Sequence, residues 1–446
     1  MSRLRERVAA WLTWRFWLTP GMGVKRHVAV AVWGALLLVL GVIGGVLWLL
    51  NGRRRELSSP LEHVLVSHAW RHGGGYLSLA VALIGVAFAI FAVGRLNRSL
   101  LSNWMPSPSQ AAVLLHQRVS LAKGPRIVAL GGGTGLSNLL RGLRQHTSNV
   151  TAVVTVSDDG GSSGRLRVAF DMPPPGDLTD CLAALSDNEL EVSRLLQYRF
   201  ARGDELKGHT FGNLLIATLT EVEGDFGQAI RVLNRLLNLS GAVYPVTSRP
   251  VTLTVTKQNG EVVKGESRTR ECPGPARSVA LEPAGPEAVP EVLEAVRRAD
   301  LAVLGPGSLF TSTLPPIVVP GVRDALLETD AKLVYVCNIM TEAGETDGFD
   351  AFDHADALAR HLGRLPDLVV LNSTPVDEPR LTAYRAEHAE EVAPALDRLE
   401  GAGVEVLRLP LLGSGLLAQH DSERLASWLA ELARTHAATR KAGLRA

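Results

Sequence analysis

Two long uncharged apolar runs within the first hundred residues restrict what this chain can fold into. Residues 28–50 read VAVAVWGALLLVLGVIGGVLWLL and residues 76–94 read YLSLAVALIGVAFAIFAVG, without a charged side chain in either. A helix of about 20 apolar residues crosses the hydrocarbon core of a bilayer, and a core helix of a soluble protein rarely stays apolar on every face for that length. We therefore expect residues 1–104 to form a membrane region built on a two-helix transmembrane hairpin.

The flanks of these spans bear on topology. A cleaved signal peptide is the competing interpretation of the first run, but the run is too long, no small-residue cleavage site follows, and a second span comes soon after. Basic residues on both outer flanks favour an inner-membrane, multi-pass protein whose two ends and C-terminal domain are cytoplasmic, whereas Arg53, Arg54 and Arg55 in the loop argue against that orientation. The segment WLTWRFW, residues 11–17, is a hypothetical amphipathic helix on the membrane surface.

Charge and cysteine content exclude several classes of function. The formal net charge of +1 gives no overall attraction to nucleic acid, so no nucleic-acid partner is expected. The three cysteines, Cys181, Cys272 and Cys337, lie far apart without metal-ligand spacing, which argues against a disulfide framework or a structural zinc site. We expect buried, reduced thiols.

Beyond residue 104 the chain changes character. MPSPSQ predicts a helix break, so we take residues 105–124 as a linker and residues 125–446 as a ligand-binding domain. Apolar runs that end in glycine-containing loops alternate with helical patterns, which indicates a parallel sheet covered on both faces. The runs are RIVAL (126–130), VTAVVTV (150–156), DLAVLG (300–305), KLVYVCN (332–338) and DLVVLN (367–372). In contrast, residues 251–270 alternate polar and apolar residues around Asn259-Gly260 and predict an antiparallel hairpin at an edge or flap.

A glycine-rich loop follows the first predicted strand. Gly132, Gly133, Thr134 and Gly135 precede a helix expected to begin near Ser137. Such a loop lets the backbone approach an anion, and the helix N-terminus adds unpaired N–H donors. It is neither G-x-G-x-x-G nor a P-loop, so ligand contact and a plain turn both stay open.

An acidic and serine-rich loop follows the second predicted strand. Asp158 and Asp159 are placed to reach a ribose hydroxyl, to hold a divalent cation or to act as catalytic bases. Gly161, Ser162, Ser163 and Arg165 offer hydrogen-bond donors to phosphate. An exposed polar turn is the alternative.

Five further features along the chain are candidates for ligand contact. Asp177 is a ligand contact or a helix cap, and His209, with Asn213 nearby, is a general acid, a ligand donor or a cap-region residue. Gly305, Gly307 and Ser308 suggest a second anion-binding turn. Asn338 and Asn372 end strands and present amides, while Asp353-His354 is a ligand pair or a surface pair.

These loops, in this order, resemble the gluconeogenesis-factor (YvcK-type) family, within the superfamily of CofD, the 2-phospho-L-lactate transferase. The resemblance covers roughly residues 125–430. The matching stretches are GGGTGLSNLLRGL (131–143), VTVSDDGGSSGRLR (154–167), PPPGDLTDCLAAL (173–185), QYRF (197–200), GHTFGNLLIATL (208–219), ADLAVLGPGSLFTSTLP (299–315) and YVCNIMTEAGETDGF (335–349).

The resemblance implies a Rossmann-like α/β/α three-layer sandwich in which GGGTG, Asp158-Asp159 and GPGS line a nucleotide site. Proteins of this type are implicated in growth on gluconeogenic carbon, cell shape and envelope synthesis, and some resemble UDP-N-acetylglucosamine binders more than enzymes. The implied partners are a nucleotide sugar, cell-wall synthesis proteins and further copies of the chain. The alternative is a phospholactate transferase with a guanosine-linked donor and Mg²⁺, held by Asp158 and Asp159. A transporter is disfavoured because neither span carries an intramembrane charge.

Overall fold

The computed structural model describes residues 24–53, 68–102 and 108–443, and it divides into two compact units, Met1–Gln117 and Arg118–Ala446. The hypothetical helix over residues 11–17 and the loop arginines Arg54 and Arg55 lie outside the described residues.

The first unit contains helices α1 (Val24–Arg53) and α2 (His68–Ser102). Within them, Arg26–Leu50 and Gly73–Leu96, with mean hydropathy of 2.5 and 2.6, are long and apolar enough to cross a membrane by length and composition. Both helices extend a few residues beyond the predicted runs.

Glycines bring α1 and α2 into backbone contact. A Cβ atom added to Gly85 would lie 2.5 Å from the Leu38 backbone nitrogen, and one added to Gly41 would lie 2.5 Å from that of Ala82. Small residues permit this approach, which is how helices associate in lipid, where apolar burial gives no driving force. The outward side chains, such as Trp33 and Ile90, stay exposed.

Helix α3 (Pro108–Ala122) occupies most of the segment that the sequence predicts to be a linker. Proline is compatible with the first turn of a helix because the N–H it lacks has no partner there. The second half of MPSPSQ, residues 108–110, thus forms the first turn of α3, and the break predicted in its first half lies outside the described residues.

The second unit is built on a seven-stranded parallel sheet. Its strands are β1 (Ile127–Gly131), β2 (Val150–Val154), β3 (Ala242–Pro245), β7 (Leu301–Leu304), β8 (Lys332–Val336), β9 (Leu368–Asn372) and β10 (Glu405–Leu409), in the order β10-β9-β8-β7-β1-β2-β3. The five predicted strands are confirmed. The edge strands β3 and β10 were not predicted, because β3 is only four residues long and β10 is half exposed, so neither leaves a long apolar run in the sequence.

Helices pack on the sheet, and every residue of the central strands β1 and β7 is buried. The helices are α4 (Gly133–Leu143), α5 (Gly161–Phe170), α6 (Gly176–Leu185), α7 (Glu189–Leu196), α8 (Phe211–Glu223), α9 (Phe226–Leu236), α11 (Pro290–Arg298), α12 (Leu314–Ile317), α13 (Pro320–Glu328), α14 (Ala351–Leu362), α15 (Glu378–Ala386), α16 (Leu396–Gly401) and α17 (Ser422–Gly443), with a π-helical turn at Leu309–Thr313. Strands without an exposed face explain the continuous apolar runs in the sequence.

The strand order reverses between β1 and β7. From β1 the chain proceeds outward to β2 and β3, and from β7 it proceeds outward on the other side to β8, β9 and β10. In open α/β sheets, ligands bind beyond the carboxyl ends of the strands at this switch point. The two glycine-rich loops that follow β1 and β7 are therefore neighbours.

A small antiparallel sheet replaces the predicted hairpin. Strand β4 (Thr252–Lys257) pairs with β5 (Val262–Lys264) around Gly260, as predicted, and β6 (Ala276–Glu282) pairs with the other edge of β4. The hairpin does not continue to residue 270, because Glu266–Glu271 forms a short helix, α10.

The α1–α2 contact is open to a direct test. The Cβ of Ser78 lies 3.9 Å from the Cβ position on Gly45, within the range for a disulfide, so we expect Gly45→Cys with Ser78→Cys to cross-link on mild oxidation. Adding Gly85→Leu should suppress the cross-link, since overpacking costs about 1–3 kcal/mol. Gly94→Leu is the matched control because the space beside Gly94 is open. Thiol alkylation and mass spectrometry measure the yield; equal yields in both variants would contradict the contact.

Candidate functional site

A cavity of about 470 Å³ opens at the carboxyl ends of β1 and β7. It is lined by the first turn of α4, by the loops after β7 and β8, and by α10. Of the residues predicted as ligand contacts, the structure brings together Gly132, Gly133, Thr134, Gly135, Asp158, Asp177, Gly307, Ser308 and Asn338. The cavity volume is in the range of small-molecule binding sites.

The glycine loop is shaped by close approach of neighbouring groups. A Cβ atom on Gly132 would lie 2.4 Å from Asp177 Oδ2, and one on Gly135 would lie 2.4 Å from the carbonyl oxygen of Pro306. Helix α4 begins at Gly133, four residues earlier than predicted. The N–H groups of Gly133 to Gly135 therefore belong to the first turn, where they have no acceptor within the helix, and they lie at the cavity.

Asp177 is not the helix cap considered in the sequence analysis. The N-cap of α6 is Pro175, and Asp177 lies in the first turn of that helix. Burial and the charge of Asp158 raise the pKa of Asp177 to about 7, against the hydrogen bond that Asp177 accepts from the Gly133 N–H, which lowers it. Asp177 thus carries a proton over much of the range near neutrality while touching the glycine loop.

The adjacent carboxylates Asp158 and Asp159 diverge. Asp158 lines the cavity, and its Oδ1 accepts a hydrogen bond from the Gly160 N–H at 2.8 Å. Asp159 instead accepts from the Ser267 N–H at 3.0 Å and from the Ser267 hydroxyl at 2.7 Å. The pair that the sequence places side by side does not converge on one ligand.

A second carboxylate pair lies behind the loop after β7. Glu342 accepts hydrogen bonds from the Ser308 hydroxyl at 2.5 Å and from Asn338 Nδ2 at 3.1 Å, so it links the ends of β7 and β8. Glu345 is fully buried and accepts from the Phe310 N–H and the Thr311 hydroxyl. Burial and the charge of Glu342 raise the pKa of Glu345 to about 8, and burial raises the pKa of Glu342.

Helix α10 supplies the remaining charged wall. Glu266 and Arg270 form an ion pair at 2.8 Å, and Arg270 is the one Lys or Arg among the described residues that line the cavity. Burial raises the pKa of Glu266 to about 8 against the opposing charge of Arg270. The wall is dominated by carboxyl groups, several of which hold a proton near neutral pH.

The structure places other predicted contacts outside the cavity lining. Asn213 Nδ2 donates to the hydroxyls of Ser162 at 3.1 Å and Ser163 at 3.3 Å, and Ser162 is 3.0 Å from His209 Nδ1. These buried side chains brace the loop that presents Asp158. Thr210, not His209, caps α8.

Arg165 and the two glycines Gly161 and Gly305 are also absent from the described lining. The Arg165 guanidinium donates to the Lys207 carbonyl. Gly161 opens α5 with φ of +47°, and Gly305 begins the turn after β7 with φ of +75°.

The two remaining candidate features are structural. Asp353 forms a reciprocal capping box with Asp350 at the start of α14, and His354 is fully buried, so the two are not a surface pair. The Asn372 side chain bonds the backbone of Thr374 and Leu411. Of the cysteines, Cys181 and Cys337 are buried as predicted, and Cys272 is only partly buried.

Sequence reasoning missed Asp180, Glu266, Arg270, Ser312, Glu342, Tyr384, Gln419 and His420, which all line the cavity. Glu342 follows β8 closely, so the rule that ligands lie beyond strand ends gave a usable signal. Glu266 and Arg270 lie in a segment that the sequence pattern assigns to a hairpin, and no local motif marks Gln419 or His420.

The oxygen donors of this cavity fit Mg²⁺ only if the ligand's phosphates complete its coordination. Among the described residues no three His, Cys, Asp or Glu side chains group as a metal centre. Magnesium in nucleotide sites commonly uses one or two carboxylates plus phosphate oxygens. Asp158 and Asp177, which lie close enough for their charges to interact, would hold it together with the ligand's phosphates once Asp177 has lost its proton.

Known proteins share this domain. Residues 127–412 match the family model described as 2-phospho-L-lactate transferase CofD. The gluconeogenesis factor of Bacillus subtilis is 41% identical over 314 residues, which cover 70% of this chain and 99% of that protein. A crystal structure of protein BH3568 from Bacillus halodurans, 40% identical, superimposes with a TM-score of 0.67 over 69% of this chain and 99% of its own.

A longer relative reaches into the N-terminal region. A Deinococcus radiodurans protein, provisionally named a gluconeogenesis factor, is 44% identical over 431 residues, covering 94% of this chain and 89% of its own length. Because the match covers 94% of this chain, it includes much of the unit that contains α1 and α2. The Bacillus subtilis protein, in contrast, is matched over 99% of its length by 70% of this chain. The chain belongs to the gluconeogenesis-factor family and carries a CofD-type α/β domain.

Proposed function

We propose that this protein is a membrane-anchored regulator that binds UDP-N-acetylglucosamine and couples carbon supply to cell shape and cell-wall synthesis. The observation that carries the proposal is the composition of the cavity, which two glycine-rich loops line together with several carboxyl groups. The diphosphate and the sugar of such a ligand each have chemically matched groups there.

The diphosphate fits the glycine-rich side. The first-turn N–H groups of α4 and the Gly307-Ser308 backbone lie on opposite sides of the switch point. A helix N-terminus stabilises an anion through its unpaired donors and its dipole. Arg270 supplies a full positive charge in the same cavity lining.

The carboxyl wall fits a sugar better than it fits a phospholactyl group. Asp158 and Glu342 present acceptors, and sugar hydroxyls are donors to such groups. A lactyl carboxylate would add negative charge beside Asp158 and Glu342, and Arg270 is the one Lys or Arg among the described lining residues that could offset it. Repulsion between like charges at short range is costly in a partly desolvated site. This balance favours the nucleotide-sugar hypothesis over phospholactate transfer.

The ligand is tested by calorimetric titration of the full chain in detergent with UDP-N-acetylglucosamine, GDP and GTP, with and without Mg²⁺. We expect micromolar binding of the UDP-sugar. Asp158→Asn and Glu342→Gln should each weaken it about tenfold or more, since a hydrogen bond to a charged group contributes roughly 1.5–3 kcal/mol. Asp204→Asn, an exposed acid outside the lining, is the control.

Two outcomes would count against the proposal. Preferential Mg²⁺-dependent binding of guanosine nucleotides would favour the transferase-like alternative. Tighter UDP-sugar binding in Asp158→Asn would show that the carboxylate repels the ligand and does not accept its hydroxyls.

The raised pKa of Asp177 predicts a pH dependence of stability. Its pKa is about 7 in the folded state and about 3.8 in an ordinary aspartate, so between pH 4.5 and 6.5 the folded protein holds a proton that the unfolded chain has released. The free energy of unfolding therefore falls as pH rises across that window, by at most about 1.4 kcal/mol per pH unit for one proton.

Asp177→Asn removes this contribution, so its unfolding free energy should depend less steeply on pH than that of the wild type. Urea unfolding followed by circular dichroism at several pH values measures both slopes. Identical slopes would show that Asp177 is ionised in the folded protein.

Anchoring by α1 and α2 would place the protein in the inner membrane with its C-terminal domain in the cytoplasm. The supporting observations are the two apolar helices and their glycine contacts. We expect the protein to stay in the membrane fraction after carbonate extraction and a C-terminal alkaline phosphatase fusion to be inactive. Extraction into the soluble fraction, or an active fusion, would contradict this topology.

A further inference from the structure

We propose that Asp159 is a positioning residue: it caps helix α10 from a distant part of the chain and so holds Glu266 and Arg270 at the cavity, without touching the ligand. The inference uses the proposed ligand site, but it does not depend on which ligand binds there.

Helix α10 cannot cap its own N-terminus. It has six residues, and its N-cap is Gly265, with φ of +96° and no side chain to accept a hydrogen bond. A helix this short is unstable in isolation. Its second residue, Ser267, finds its backbone acceptor in Asp159 Oδ1, 108 positions earlier in the sequence.

The fit between Asp159 and the start of α10 is close. The Ser267 hydroxyl donates to the same carboxylate oxygen at 2.7 Å. A Cβ atom on Gly265 would lie 2.0 Å from Asp159 Oδ2, so only glycine leaves room for the carboxylate here. A negative charge at this end also complements the helix dipole.

A buried lysine holds the other end of α10. Lys257 is 1% exposed, and its ammonium group donates to the carbonyl oxygens of Thr269 at 3.0 Å and Cys272 at 2.9 Å, and also to that of Gly344. Opposite charges from other elements thus satisfy both ends of α10. The position of its cavity-facing side chains is set by these two contacts.

Asp158 and Asp159 therefore have different tasks. Asp158 faces the cavity, and the next residue fixes the opposite wall. A ligand that displaces the Asp158 loop would also displace α10, since one peptide unit joins the two carboxyl-bearing residues.

Hydrogen exchange of the full chain in detergent, without ligand, tests the proposal. In Asp159→Ala we expect the amides of residues 266–271 to exchange roughly tenfold faster, the size of effect that loss of a helix cap produces. Asp159→Asn keeps an acceptor oxygen and should restore protection, and Asp158→Asn should leave it unchanged. Ser267→Ala loses the hydroxyl bond to Asp159 and keeps the N–H bond, so it should give a smaller increase in exchange rate. This variant replaces Asp159→Ala in the test if Asp159→Ala does not fold.

A second arm measures affinity for UDP-N-acetylglucosamine. We expect Asp159→Ala to weaken binding and Asp159→Asn to rescue it, whereas Asp158→Asn weakens binding without a change in exchange. If the amides of residues 266–271 exchange at the wild-type rate in both Asp159→Ala and Ser267→Ala, the positioning role is wrong. It is also wrong if Asp159→Asn loses affinity for the nucleotide while these amides stay protected from exchange. If the wild type fails to bind this nucleotide, the proposed function fails while the exchange result still decides the role of Asp159.

Discussion

The contact between the N-terminus of α4 and the loop after β7 is the constraint on which the site depends. Gly135 lies against the Pro306 carbonyl and Gly132 lies against the Asp177 carboxyl, each too close for a side chain. This contact exists because the strand order reverses between β1 and β7, which places the ends of two sequence-distant strands together. The cavity, its donors and its carboxyl wall all surround this point.

The site combines groups that would repel one another if fully ionised. Burial raises the pKa of Asp177, Glu266 and Glu345 to about 7 or 8, so protons reduce the charge that the fold concentrates there. Hydrogen bonds from Ser308 and Asn338 to Glu342 supply further compensation. The sugar of a nucleotide sugar is compatible with the carboxyl groups because its hydroxyls donate to carboxyl oxygens and the sugar itself adds no charge.

Much of the fold was predictable because parallel strands buried on both faces leave continuous apolar runs. The loops at the strand ends predicted Gly132 to Gly135, Asp158 and Ser308 as ligand contacts, and these residues line one cavity. Side-chain direction was not predictable: Asp158 and Asp159 are adjacent in sequence, and only the position of Ser267 shows that the second turns away. Glu266 and Arg270 reach the cavity through tertiary contacts of α10, which no local pattern records. The edge strands β3 and β10 were missed for a related reason, since short or half-exposed strands lack the apolar signal.

The central claim is that two glycine-rich loops hold the diphosphate of a UDP-sugar while the carboxyl wall takes the sugar. A structure of the full chain determined with UDP-N-acetylglucosamine tests it most directly. We expect phosphate oxygens within hydrogen-bond distance of the Thr134 and Gly135 N–H groups, and sugar hydroxyls on Asp158 or Glu342. A nucleotide bound with its sugar in solvent, or bound elsewhere on the domain, would contradict it.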